Sequence, residues 1–145
     1  METVEFLAKV GLFSDLQERD LHRLSTNMCQ VSFPEGDIVR DNDSVDGLYI
    51  VKKGMAKVCQ SSYGAAGVEA VLAILREGDS FGELALLDGL PRSVNVTAME
   101  PVECYYLSRA AFLVALRENP RIAQSMIPTL ARMVRTSDQW VGQLI

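Results

Sequence analysis

Apolar and polar residues follow two rhythms along this 145-residue chain. Over residues 2–10 and 15–29 the spacing is helical: Leu16, Leu21, Leu24 and Met28 recur near every third or fourth position, and Thr3 and Ser14 stand where N-caps belong. From Val31 the rhythm shortens. VSF, DIVR, GLYIV, MAKVC, VEAVLAIL, SVNVTA and VECYYL alternate or run apolar for a few residues, with turn residues between them. Such a series predicts a closed or double-sheet antiparallel domain of the jelly-roll (double-stranded β-helix) type. After Leu107 the helical spacing returns. Ser108 is placed to cap one helix and Asn119-Pro120 to cap and open the next, in which Pro128 removes a backbone bond and predicts a kink. The expected organisation is one mainly β domain over residues 1–145: N-terminal helices at 1–30, a β-roll at 31–107 and C-terminal helices at 108–145.

Turns, a loop and one helical seam refine this outline. Pro34-Glu35-Gly36-Asp37 and Arg76-Glu77-Gly78-Asp79 echo one another, and each reads as a tight turn with glycine in a left-handed or strained conformation. Ser61 to Gly67 reads as a flexible hairpin loop, and Lys52-Lys53-Gly54 as a turn. In the last helix Ile127, Leu130, Val134, Ser137, Val141 and Leu144 step by threes and fours, a heptad seam with one polar member. A helix lying on its own domain produces the same periodicity. Trp140 and Leu144-Ile145 are still apolar at the end of the sequence, which favours a parallel homodimer through this helix.

Composition narrows the function. A net charge of −5 and a pI near 4.9 argue against a broad nucleic-acid-binding surface. No apolar stretch is long enough for a membrane span and the N-terminus lacks the features of a signal peptide, so a soluble, cytoplasmic protein is expected. Cys29, Cys59 and Cys104 are scattered and read as reduced, mostly buried thiols; no metal site is signalled. His22 is the only histidine and reads as a helix surface or partly buried residue, not a catalytic base.

The chemistry concentrates between Phe81 and Ala98, FGELALLDGLPRSVNVTA. Gly82 permits close backbone approach, and the amides from Gly82 to Ala85 can face a phosphate at the start of a helical turn. Pro91 fixes the chain before Arg92, a planar cationic fork, and Ser93 follows. Glu83 is an acceptor-only carboxylate, suited to a sugar hydroxyl. Two blander readings use the same residues: Glu83 as a helix-start anion, and Glu83–Arg92 as a structural ion pair.

Phe81-Gly82-Glu83-Leu84-Ala85, Leu86-Leu87, Pro91-Arg92-Ser93 and Ala98 together resemble the phosphate-binding cassette of cyclic nucleotide-binding domains. Leu12-Phe13, the two Gly-Asp turns, Leu48 to Val51, Gly54 and Lys57-Val58 resemble the family's framework, so the likeness extends over roughly residues 6–144. The resemblance implies that Arg92 pairs with the cyclic phosphate and that Glu83 takes the ribose 2′-hydroxyl. It further implies backbone donation from Gly82, Leu84 and Ala85, and backbone and hydroxyl donation from Ser93. Ser137 and Asp138 stand in places similar to polar base contacts of bacterial members, although the sequence there diverges. The implied ligand is cAMP, with cGMP the second candidate because a hydroxyl at Ser93 also accompanies cGMP preference in some members.

The expectation is therefore a non-catalytic cyclic nucleotide sensor without cofactor, lacking a DNA-binding domain in this chain. The competing readings are a ligand-free interaction domain and a cupin-type metalloenzyme. The latter needs several histidines plus a carboxylate, which one histidine outside the strands does not supply.

Overall fold

A computed structural model describes residues 2–40, 47–60, 70–90 and 94–136. In chain order the elements are α1 (Glu2–Ala8), a 3-10 turn (Gly11–Phe13), α2 (Glu18–Ser25), β1 (Cys29–Phe33), β2 (Ile38–Arg40), β3 (Gly47–Lys53), β4 (Ala56–Gln60), β5 (Ala70–Leu75), β6 (Ser80–Phe81), α3 (Glu83–Asp88), β7 (Val94–Ala98), β8 (Val102–Ser108), α4 (Arg109–Glu118) and α5 (Pro120–Arg135). The strands form two antiparallel four-stranded sheets, ordered β1-β8-β3-β6 and β2-β7-β4-β5 among the described residues. This is the expected jelly-roll-like architecture, with the sheets open at their edges.

The first sheet is the middle layer of the molecule. Successive strand residues point to opposite faces, and both faces of β3 and β8 are covered. Tyr49, Val51, Val102 and Cys104 meet Ala56, Leu75, Val96 and Ala98 in a core between the sheets. Leu48, Ile50, Tyr105 and Leu107 face the other way, into a core with Leu7, Phe13, Leu24, Phe112, Ile122 and Met126 of the helices. Double coverage explains why GLYIV is a continuous apolar run and not an alternating one.

The echoed turns are equivalent in structure. Gly36 and Gly78 have φ of 87° and 91°. Gly36 N–H donates to Ala98 O at 2.8 Å and Ala98 N–H to Asp37 O at 2.9 Å; Gly78 N–H donates to Val51 O and Val51 N–H to Asp79 O, both at 2.8 Å. Each glycine-aspartate pair thus pins one strand of one sheet.

Several local expectations are corrected. The first helix begins at Glu2, so Thr3 lies inside it. The second starts at Glu18, because Ser14 N–H and Leu16 N–H are used to close the 3-10 turn and the segment after it. It ends at Ser25, and Cys29 belongs to β1, paired with Tyr106. Ser108 caps α4 as expected, accepting from Ala111 N–H at 3.1 Å. Asn119 makes no side-chain cap for α5; its amide instead donates to Ala115 O at the end of α4. α5 runs on through Pro128. The Ser61–Gly67 loop lies outside the described residues.

Candidate functional site

The candidate site starts where β6 ends. Tyr49 of β3 pairs with Phe81, and their rings stack at 4.9 Å and 6°, which fixes this two-residue strand to the sheet edge. Gly82 then takes φ 90° and ψ 12°, a left-handed conformation open to glycine at little cost, and turns the chain from β6 into α3.

No side chain caps α3. Its first intrahelical bond is from Leu86 N–H to Gly82 O at 2.9 Å, so the amides of Glu83, Leu84 and Ala85 precede the intrahelical ladder. Ala85 and Leu86 are fully buried beneath this turn, whereas Leu84 is half exposed. One edge of α3 is therefore anchored in the core while its start presents backbone donors.

Glu83 is oriented by a neighbour that the sequence reading did not single out. Ser80 Oγ donates to Glu83 Oε1 at 2.7 Å in a partly buried setting. One carboxylate oxygen is thereby fixed, and further acceptor capacity remains. The Ser-x-x-Glu spacing was the available signal, since it resembles a capping box; the N-cap is nevertheless Gly82, the helix starts at Glu83, and the serine serves the glutamate side chain.

At its other end α3 stops at Gly89, again left-handed (φ 70°), whose N–H donates to Ala85 O. Leu90 N–H is held by Asp88 Oδ1 at 2.9 Å. Arg109 Nη2 reaches back across 22 residues to donate to Leu87 O at 3.2 Å. Nothing in local spacing marks this contact.

Gly82, Glu83, Leu84 and Ala85 thus form one turn. Arg92 and Ser93 lie outside the described residues, as do Ser137, Asp138, Val141 and Leu144. Of the seam, Ile127 and Val134 are 63% and 47% exposed, and Leu130 packs in part against the helical core. The face that α5 turns to its own domain is a different one, formed by Ile122, Met126 and Thr129.

The described residues contain no helix long and apolar enough to cross a membrane. His22 is exposed on α2, outside the strands.

Comparison with known proteins follows the same outline. The chain is 29% identical over 142 residues to the CRP-like cAMP-activated global transcriptional regulator of Mycobacterium tuberculosis, covering 97% of this chain and 62% of that protein. It is 35% identical over 107 residues to the cyclic AMP receptor protein of Thermus thermophilus, covering 73% and 49%. It thus spans less than two thirds of the length of these curated relatives. The N-terminal domain of a transcriptional regulator from Streptomyces coelicolor superimposes with a TM-score of 0.82 at 29% identity, over 92% of this chain and 95% of that one. A family model, the cyclic nucleotide-binding domain, matches residues 30–119, from β1 to the end of α4 and across the whole Gly82–Ser93 segment. The chain belongs to the cyclic nucleotide-binding domain family.

Proposed function

We propose that this chain is a regulatory module that binds cAMP and performs no catalysis. The observation that carries the proposal is the Gly82–Ala85 turn, where unladdered amides stand beside a glutamate held by Ser80. Arg92 and Ser93 complete the site in sequence. In this reading the amides and Arg92 take the cyclic phosphate, and Ser93 donates to it. Glu83 accepts from the ribose 2′-hydroxyl with the oxygen capacity that Ser80 leaves over. Ser137 and Asp138 provide polar contacts to the base. The relatives, a cAMP-activated regulator and a cyclic AMP receptor protein, favour adenine. The Ser93 hydroxyl is the specific feature that keeps cGMP as the second ligand.

The module acts in the cytoplasm as a homodimer through the α5 face of exposed Ile127 and Val134 with the half-buried Leu130 between them, continued in sequence by Ser137, Val141 and Leu144. With its net charge of −5, it is assigned no nucleic-acid contact of its own. Ligand acts by favouring one placement of α4 and α5 through differential contacts.

Calorimetric titration of cAMP and cGMP in parallel tests this directly. Saturable cAMP binding by the wild type, lost in Arg92→Ala with the fold retained, is the expected result. An unchanged affinity in Arg92→Ala, or no binding of either nucleotide, refutes it.

A further inference from the structure

α3 is followed within four residues by Arg92, so whatever fixes the end of α3 also limits where that arginine begins. The last carbonyls of a helix lack intrahelical donors and attract cations. Here Gly89 N–H satisfies Ala85 O, and Arg109 Nη2 satisfies Leu87 O at 3.2 Å.

Three details single this arginine out. It is the first residue of α4, capped by Ser108. A cation at that end opposes the α4 dipole, whereas at the end of α3 it is favoured. Its charge therefore suits α3 and not its own helix.

Next, Arg109 Nε is buried and has no hydrogen-bond partner among the described residues. A buried donor left in this state is destabilising, and it is available to a second acceptor.

The third detail is the space around it. A Cβ on Gly89 would stand 3.1 Å from Arg109 Nε and 3.2 Å from Cζ. The absent side chain at Gly89 therefore gives the guanidinium its seat, in addition to permitting the left-handed turn.

We propose that Arg109 is a positioning residue for the nucleotide site. Its guanidinium, seated on Gly89 and bonded to Leu87 O, holds the end of α3 and thereby the start of the segment leading to Arg92. It also ties that segment to the first residue of α4, so that occupancy of the site and placement of the C-terminal helices share one polar joint. This inference rests on the reading of Gly82–Ser93 as the nucleotide site.

The test compares cAMP affinity by calorimetry for the full chain and three variants, with ligand-free thermal midpoints measured alongside. Arg109→Met keeps the aliphatic length and removes the donors. It is expected to remain folded and to bind cAMP roughly tenfold more weakly, the scale of one charge-assisted hydrogen bond. Arg109→Lys, which keeps the charge without the planar fork, falls between wild type and Arg109→Met. A residue that served the fold alone would lower the ligand-free midpoint and leave affinity unmoved.

Gly89→Ala provides a second probe: it crowds the guanidinium without altering it and also strains the left-handed turn at φ 70°, so it too should weaken binding. Wild-type affinity within about twofold in Arg109→Met overturns the inference. Should Arg109→Met not fold, the same criterion applied to Gly89→Ala decides. A wild-type chain that binds neither cAMP nor cGMP refutes the proposed function instead, so the two failures are distinct.

Discussion

The Asp20 carboxylate has no exposed surface, and its Oδ1 accepts from Arg121 Nη2 at 2.9 Å. The pair joins α2 to the first turn of α5, although 101 residues separate them in sequence. Asp20 Oδ2 and Arg121 Nε are both buried without a partner among the described residues, so this one bond carries the compensation for a buried charge. Arg121 is partly exposed and keeps some hydration. Arg121→Ala should therefore destabilise the fold by about 2–4 kcal/mol, toward the lower end of what breaking a buried pair costs. Replacing both residues by alanine should cost less than the sum of the two single changes. Urea denaturation of the single and double variants measures both; strict additivity contradicts the coupling.

A second clasp lies further along α5. The Thr129 hydroxyl, 2% exposed, donates to Asp15 Oδ2, and Arg132 Nη2 donates to the same oxygen at 2.7 Å. The threonine bond first, and then Arg132, hold the Asp15 carboxyl below its ordinary value of 3.8. A depressed folded value means that the ionised carboxylate stabilises the fold above the unfolded value and ceases to do so as pH falls through the folded one. Thr129→Val should accordingly lower the urea midpoint at neutral pH, and its difference from wild type should narrow below about pH 4. A gap that stays constant down to about pH 3 would count against the clasp.

The three cysteines differ in reach. Cys29 is exposed on β1, while Cys59 and Cys104 are buried. Burial pushes the Cys104 thiol up to about 12, which keeps it protonated at physiological pH. Native protein should show one fast-reacting thiol with a disulfide reagent, lost in Cys29→Ser, with the remainder released on unfolding. Fast reaction of Cys104 would place the inter-sheet core in contact with solvent.

If Ser80 holds Glu83 for a ribose hydroxyl, the consequence appears in sugar discrimination. Wild type should bind 2′-deoxy-cAMP roughly tenfold or more weakly than cAMP, since a carboxylate bond of this kind contributes about 1.5–3 kcal/mol. Ser80→Ala should compress that ratio while leaving the melting midpoint within a few degrees of wild type. An undiminished ratio in Ser80→Ala assigns the serine to local structure alone.

The α5 face is separable from all of these. Ile127 and Val134 make no contribution to the described cores, so Ile127→Glu and Val134→Glu should leave monomer stability nearly unchanged. Light scattering should find a dimer for wild type and a monomer for the double variant. A wild type that is monomeric at high micromolar concentration excludes pairing through this face.

The parts that were legible in the sequence are those governed by short-range pattern. GLYIV and VECYYL identify β3 and β8: burial on both faces leaves the first an unbroken apolar run and the second apolar but for Glu103. The Gly-Asp echo marks two corners that the backbone builds alike. β6 was not legible as a strand: two residues carry no periodicity, and it exists because Tyr49 stacks on Phe81. The start of α2 shifted because the 3-10 turn takes up the preceding backbone groups.

At the site, Gly82 and Glu83 could be read directly, because a left-handed turn and an acceptor follow from residue type. Ser80 was visible only as a spacing. Arg109 was hidden, since its partner is 22 residues away and becomes a neighbour only after α4 docks beside α3.

The twin corners at Gly36 and Gly78 give the fold an internal control. The same pair of backbone bonds closes both, yet the first leads into β2 and the second leads through β6 into Gly82. Damage at Gly36 should register in stability alone, while matching damage at Gly78 registers in stability and ligand affinity together. The difference between the two separates what the corner does for the scaffold from what it does for the nucleotide, within one molecule and with one type of substitution.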